Sequence, residues 1–225
     1  MKTRIVAAYE DGPDAVARLR SLAESHDAEV VTVSVDLGHA YELDGVRQRA
    51  LAAGAMRAHV IDLREEFARD QVLPALREGA LDEGPDAMRR LAAPVVERTL
   101  TQIAAIEHAR VAHDTAAALH LQPARRGRPL DRPADTPAHV EIEFVRGAAI
   151  AINGVSMRAT ELLESLATIA AGHNVGNADD LYGPAVTVLR HAYAEGDASR
   201  LTGTVTLKLF DGTCSVTRRL AMAEA

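Results

Sequence analysis

Apolar positions fall in short runs separated by helical patterns over the first half of the chain, and the period changes near residue 138. Ile5–Ala8 is a run of buried-strand type. Glu10–Asp11–Gly12 supplies turn chemistry, and Pro13 stands at a first helical position, where proline is tolerated. Val30–Val35 is β-branched and ends in Asp36–Leu37–Gly38. A helix over Glu42–Ala53, closed by Gly54, leads to a third strand at His59–Asp62. Helical patterns at Arg64–Glu78 and Met88–Glu107 precede a fourth strand at Arg110–His113. Strands Arg4–Tyr9, Val30–Val35, His59–Asp62 and Arg110–His113, separated by helices, predict a parallel sheet with right-handed crossovers.

Pro123–Pro137 breaks the pattern with four prolines and with Arg125, Arg126, Arg128 and Arg132. That composition reads as a linker, with a basic anion-binding loop as the sharper alternative. Beyond it Val140–Phe144 alternates, Arg146–Gly147 turns and Ala149–Ile152 returns. Asn153–Gly154 is a second turn signal. An amphipathic helix over Thr160–Ala171 carries Leu162, Leu163, Leu166 and Ile169 on one face, and another spans Pro184–Tyr193. Thr202–Phe210 and Thr213–Thr217 pair through Asp211–Gly212 as a hairpin, so the second half is α+β with one antiparallel sheet. The chain therefore divides into an α/β, Rossmann-like domain (1–122), a linker (123–137) and a smaller α+β domain (138–225).

At 225 residues the chain can bury a sizeable core, built from Ala, Val, Leu and Ile because aromatics make up only 3%. A net charge of -7 argues against nucleic-acid binding. The lone Cys214 precludes an internal disulfide and reads as a small apolar residue of the hairpin. Met1 leads straight into a strand with no apolar leader, and no run reaches the length of a membrane span. These features predict a cytoplasmic protein that does not engage a membrane.

A strand-to-helix turn at the start of a doubly wound domain is where backbone N–H groups usually meet phosphate, yet here two carboxylates occupy it. Asp14 and Asp36 fall at the carboxyl edge of adjacent strands. As a pair they could bind a cation or act as acid and base; Asp14 equally suits a helix N-terminus. Among nine histidines, His39, His113 and His120 fall near the same edge, either as a metal or acid–base cluster or as ordinary loop histidines. No paired-ligand spacing selects a metal.

Several stretches resemble the argininosuccinate synthases, which join citrulline and aspartate using ATP. Val35–His39 is similar to that family's Ala-Asp-Leu-Gly-Gln, and Asp62–Asp70 with Val72–Pro74 matches it nearly letter for letter. Val140–Phe144, Ala151–Gly154, Thr202–Val205 and Leu207–Leu209 follow in the family's order. The resemblance implies an adenine-nucleotide α-hydrolase-like, N-type ATP-pyrophosphatase domain followed by a reduced synthetase-like domain. It places ancestral nucleotide positions at Ala8, Tyr9, Gly12, Asp14 and Asp36.

Departures concentrate where that chemistry would reside. The family's phosphate loop, Ala-Tyr-Ser-Gly-Gly-x-Asp-Thr-Ser, has Glu10 in place of the serine and Asp11 in place of the first glycine, and it closes with Ala15–Val16. A carboxylate about 4 Å from a phosphate oxygen opposes it by roughly 4 kcal/mol at an effective dielectric near 20. A bridging Mg²⁺ would offset part of that. The second nucleotide loop begins at His113 but lacks the family's glycines, lysine and asparagine. Arg89–Arg90 stand where the family has small residues, while Tyr182 matches a citrulline-contacting tyrosine. The crevice candidates are thus Glu10, Asp11, His39, Arg89, Arg90, His113, His120 and Tyr182, with no catalytic residue or metal ligand assigned. Family members are longer tetramers joined through a C-terminal helix and arm. This chain stops after Leu220–Ala223, so a homodimer is expected. The expected function is a divergent, shortened relative that has lost ligation and serves as a binding, regulatory or accessory protein for a small molecule, without a cofactor. The alternatives are an enzyme of altered chemistry in specialised metabolism and an active synthase using ATP and Mg²⁺.

Overall fold

The computed structural model describes residues 3–10, 12, 14–38, 43–81, 86–112, 134–178 and 180–221. They form two compact units, Met1–Leu63 with Arg89–Leu121, and Arg64–Met88 with Gln122–Ala225.

The first unit holds β1 (Thr3–Ala8), α1 (Ala15–His26), β2 (Ala28–Asp36), α2 (Leu43–Ala52), β3 (Arg57–Asp62), most of α5 (Ala87–Ile106) and β4 (Arg110–Val111). Its sheet is wholly parallel, in the order β3-β2-β1-β4. Ile5 stands beside Val30 on one side and Arg110 on the other. Central strands are covered on both faces, which is why Val30–Val33 is a continuous run buried without alternation. One face packs Ile5, Ala7 and Tyr9 with Ala15 and Leu19 of α1 and Val46, Ala50 and Ala53 of α2. Helix α5 buries Ala92, Val95, Val96, Leu100, Ile103 and Ala104, spaced for one helical stripe.

The second unit begins with α3 (Arg64–Phe67), a π-turn (Ala68–Val72) and α4 (Leu73–Arg77), where the sequence reads as one uninterrupted helix. It continues with β5 (Ala138–Val145), β6 (Ala148–Ile152), β7 (Val155–Ser156), α6 (Ala159–Ala171), α7 (Gly183–Tyr193), β8 (Gly203–Phe210) and β9 (Thr213–Ala221). These strands make one antiparallel sheet, β7-β6-β5-β8-β9. Its three hairpins turn on two residues each, Arg146–Gly147, Asn153–Gly154 and Asp211–Gly212, all with positive φ. That backbone matches the twist of the strands it joins. Val140, Ile142 and Phe144 of β5 and Val205, Leu207 and Leu209 of β8 are fully buried, as are Leu162, Leu163 and Leu166 of α6. The Phe144 ring meets Tyr193 of α7 edge-on at 5.3 Å, and the Tyr193 hydroxyl donates to the Gly147 carbonyl at 2.8 Å. Burial pushes that phenol up to about 12.

The division departs from the contiguous one expected at residue 122, because Arg64–Met88 belongs with the C-terminal unit. A carboxylate is the reason on one side: Glu65 accepts the Ala159 N–H (3.2 Å), the Thr160 N–H (3.0 Å) and the Thr160 hydroxyl (2.8 Å), capping α6. Phe67, Ala68, Val72 and Leu76 are the apolar reason, all buried. Burial raises the Glu65 carboxyl, but the Thr160 and Ala159 hydrogen bonds and the Arg158 charge outweigh it and hold it below the ordinary carboxylate value. Strand β4 ends at Val111, so His113 and residues 123–133 of the linker lie outside the described residues.

Candidate functional site

The carboxyl edge of the parallel sheet holds six of the positions singled out from sequence, Ala8, Tyr9, Glu10, Gly12, Asp14 and Asp36. Ala8 ends β1, and Tyr9 continues it by donating its N–H to the Val33 carbonyl at 2.9 Å. The Ser34 hydroxyl returns a hydrogen bond to the Tyr9 carbonyl at 2.7 Å. The chain then turns into α1, where the Ala15 N–H donates to the Gly12 carbonyl at 3.1 Å. Asp14 is the exposed N-cap residue and makes no side-chain cap bond. Its charge still lies at the favourable end of the helix dipole.

Asp36 is 3% exposed and accepts the Gly38 N–H at 2.8 Å, while its own carbonyl accepts the Leu63 N–H. The carboxylate therefore shapes the β2 exit as an Asx-type turn. Among the described residues, no group of three His, Cys, Asp or Glu could hold a metal ion.

A cavity of about 270 Å³ borders this turn, between the end of β1 and one face of α1. Its lining joins Ala8, Tyr9 and Glu10 to residues that the sequence reading missed, including Arg18, Leu22, Ser25 and His26. Ala15, Arg18, Leu19, Leu22 and His26 recur at helical spacing, a stripe visible in the sequence but without a motif to mark it as a site. Neither Asp14 nor Asp36 lines this cavity.

The remaining candidates are placed separately. Arg89 and Arg90 are exposed in the first turn of α5. Tyr182 belongs to the second unit; it is 5% exposed and caps α7 at φ 56°, ψ 11°, a left-handed backbone seldom taken by a tyrosine. Asp11, His39, His113 and His120 lie outside the described residues. No described helix is long and apolar enough to cross a membrane.

A buried carboxylate unforeseen from sequence lies elsewhere in the first unit. Glu107, just past α5, has a side chain 2% exposed and accepts His59 Nε2–H at 2.8 Å and Arg57 Nη1–H at 3.1 Å. The His59 hydrogen bond, opposed by burial and helped by Arg57, holds its carboxyl below the ordinary value. This triad ties the edge strand β3 to the end of α5.

Residues 4–118 match the sequence profile of the Arginosuccinate synthase N-terminal HUP domain. An argininosuccinate synthase of Nitratidesulfovibrio vulgaris is 30% identical over 78% of this chain and 63% of its own length. That of Oleidesulfovibrio alaskensis is 29% identical over 78% and 64%. That of Syntrophobacter fumaroxidans is 45% identical over 47% of this chain and 27% of its own length. The chain thus spans just under two thirds of the length of the first two relatives. With the parallel HUP sheet in place and over half of its residues within the profile, the chain belongs to the argininosuccinate synthase family.

Proposed function

We propose that this family member does not ligate citrulline to aspartate, and that it serves as a small-molecule-binding, regulatory or accessory protein. The observation carrying this reading is Glu10, an acidic residue on the lining of the cavity at the end of β1, where a phosphate cradle would need donors. Two N–H groups flanking the turn are already committed, Tyr9 to Val33 and Ala15 to Gly12. Ala15 also lacks the hydroxyl that a threonine would offer there. Such a turn does not fit a pyrophosphate: it offers negative charge to an anion and spends donors internally. The reaction would need those donors most, since stabilising the departing pyrophosphate depends on preorganised positive dipoles.

The test supplies the 225-residue chain with ATP, Mg²⁺, citrulline and aspartate and measures pyrophosphate release. The expected result is no release above background. Replacing both loop carboxylates (Glu10→Ser with Asp11→Gly) should strengthen ATP binding without restoring turnover, because the segment after His113 also lacks the family's glycines and lysine. Argininosuccinate formed by the unaltered protein would overturn the proposal. Turnover restored by the two substitutions would locate the whole defect in the first loop.

A further inference from the structure

The α1 cavity carries more chemistry than an anion-repelling turn. Its apolar lining includes Ala8, Leu19 and Leu22, and its polar lining includes residues of opposite charge, Glu10 and Arg18. Glu10 follows β1 directly, and Arg18 stands one helical turn, about 5 Å, beyond Ala15 along α1. The Ser25 hydroxyl already donates to the Leu22 carbonyl. The Arg18 guanidinium is exposed and makes no hydrogen bond or ion pair with the described residues, unlike Arg4, held by Glu29, and Arg57, held by Glu107. Its planar fork suits a carboxylate. Glu10 has partners of its own, yet a carboxylate has about four acceptor sites and can take another donor.

A site with an anion, a cation and an apolar lining is complementary to a zwitterion with an apolar tail. Its volume of about 270 Å³ equals roughly nine waters at ~30 Å³ each, which suits a ligand of on the order of ten non-hydrogen atoms. We infer that the α1 cavity binds a free α-amino acid with an apolar side chain. The ammonium group meets Glu10, the carboxylate meets Arg18, and the side chain lies over Ala8, Leu19 and Leu22. This deepens the binding role proposed above by naming the ligand class. Apolar burial supplies affinity, while the paired charges fix orientation and reject molecules lacking either end.

The test is calorimetric titration of the 225-residue chain, without ATP, using three probes. L-leucine carries both charges, L-leucinamide lacks the carboxylate and N-acetyl-L-leucine lacks the ammonium. L-leucine should bind saturably, and each derivative should bind at least about tenfold more weakly, the loss expected from one charge-assisted hydrogen bond. Arg18→Gln should erase the preference for leucine over leucinamide. Glu10→Gln should erase the preference for leucine over N-acetyl-leucine. Each variant should leave the other preference and the thermal midpoint in place, which a merely structural role would not do. Were Glu10→Gln to fail to fold, the exposed Arg18→Gln variant and the derivatives on the unaltered protein would still decide. Absence of saturable leucine binding, equal binding of the derivatives, or preferences indifferent to both substitutions would overturn the inference. Pyrophosphate release is measured separately, so an active synthase and an empty cavity give different results.

Discussion

The triad of Arg57, His59 and Glu107 makes a prediction whose sign runs against simple counting of contacts. Glu107 is the buried member at 2% exposure, whereas Arg57 and His59 are 61% and 31% exposed. Replacing the carboxylate by Glu107→Gln leaves no buried charge, and its amide oxygen still accepts one of the two donors. The loss is charge assistance on those bonds, about 1–2 kcal/mol. Replacing both cations, Arg57→Ala with His59→Ala, leaves a carboxylate buried without a counter-charge, at a cost of roughly 3–5 kcal/mol. Adding Glu107→Gln to that double variant removes the stranded charge, so the triple variant should be more stable than the double by about 1–2 kcal/mol.

Urea unfolding followed by far-ultraviolet circular dichroism measures all four proteins, with the midpoint shift read at constant slope. pH supplies an independent check. In the unaltered protein the carboxyl is held below its unfolded value, so its stabilisation is complete above the ordinary carboxylate range and is lost as pH falls through the depressed folded value. In the double variant burial acts alone and favours the neutral acid, so the deficit should shrink between about pH 7 and about pH 4. A triple variant no more stable than the double, or a deficit equal at both pH values, would refute the reasoning.

Two further predictions concern the second unit. Glu65→Gln should cost about 1 kcal/mol, within the range for losing a helix N-cap, measured as a urea midpoint shift. The difference from the unaltered protein should be present above the ordinary carboxylate range and vanish as pH falls through the lowered folded value of Glu65. Tyr193→Phe should cost about 1–2 kcal/mol by leaving the Gly147 carbonyl without its donor. Because burial raises the phenol from 10.0 to about 12, the unaltered protein should lose stability as pH climbs through that window, and the Phe variant should not share that loss.

What the sequence disclosed and what it withheld divide along the distance between partners. The four parallel strands were legible because a central strand carries its signal within itself, as in the run Val30–Val33. The hairpins were legible because Asn153–Gly154 and Asp211–Gly212 settle a turn within two residues. The unit to which Arg64–Met88 belongs was not legible, since Glu65 reaches its partner Thr160 across 95 residues and no local pattern announces that pairing. Glu107 escaped for the same reason, its partners lying 48 and 50 residues back in an edge strand.

The cavity shows a subtler limit. Matching letters to a phosphate loop locates Ala8, Tyr9, Gly12 and Asp14, but letters do not say which N–H groups are already bonded, and here Tyr9 and Ala15 are. Nor does an arginine on an exposed helical face declare a role, because the same residue reads as a solvated surface unless its surroundings are known. Arg18 becomes informative only when the fold sets it among apolar residues with Glu10 on the same lining. The carboxylate that counts against a nucleotide is, in that setting, half of a complementary pair. One substitution can therefore remove an anion site and provide a contact for an ammonium group, which is why the tests of ATP turnover and of amino-acid binding must use the same Glu10.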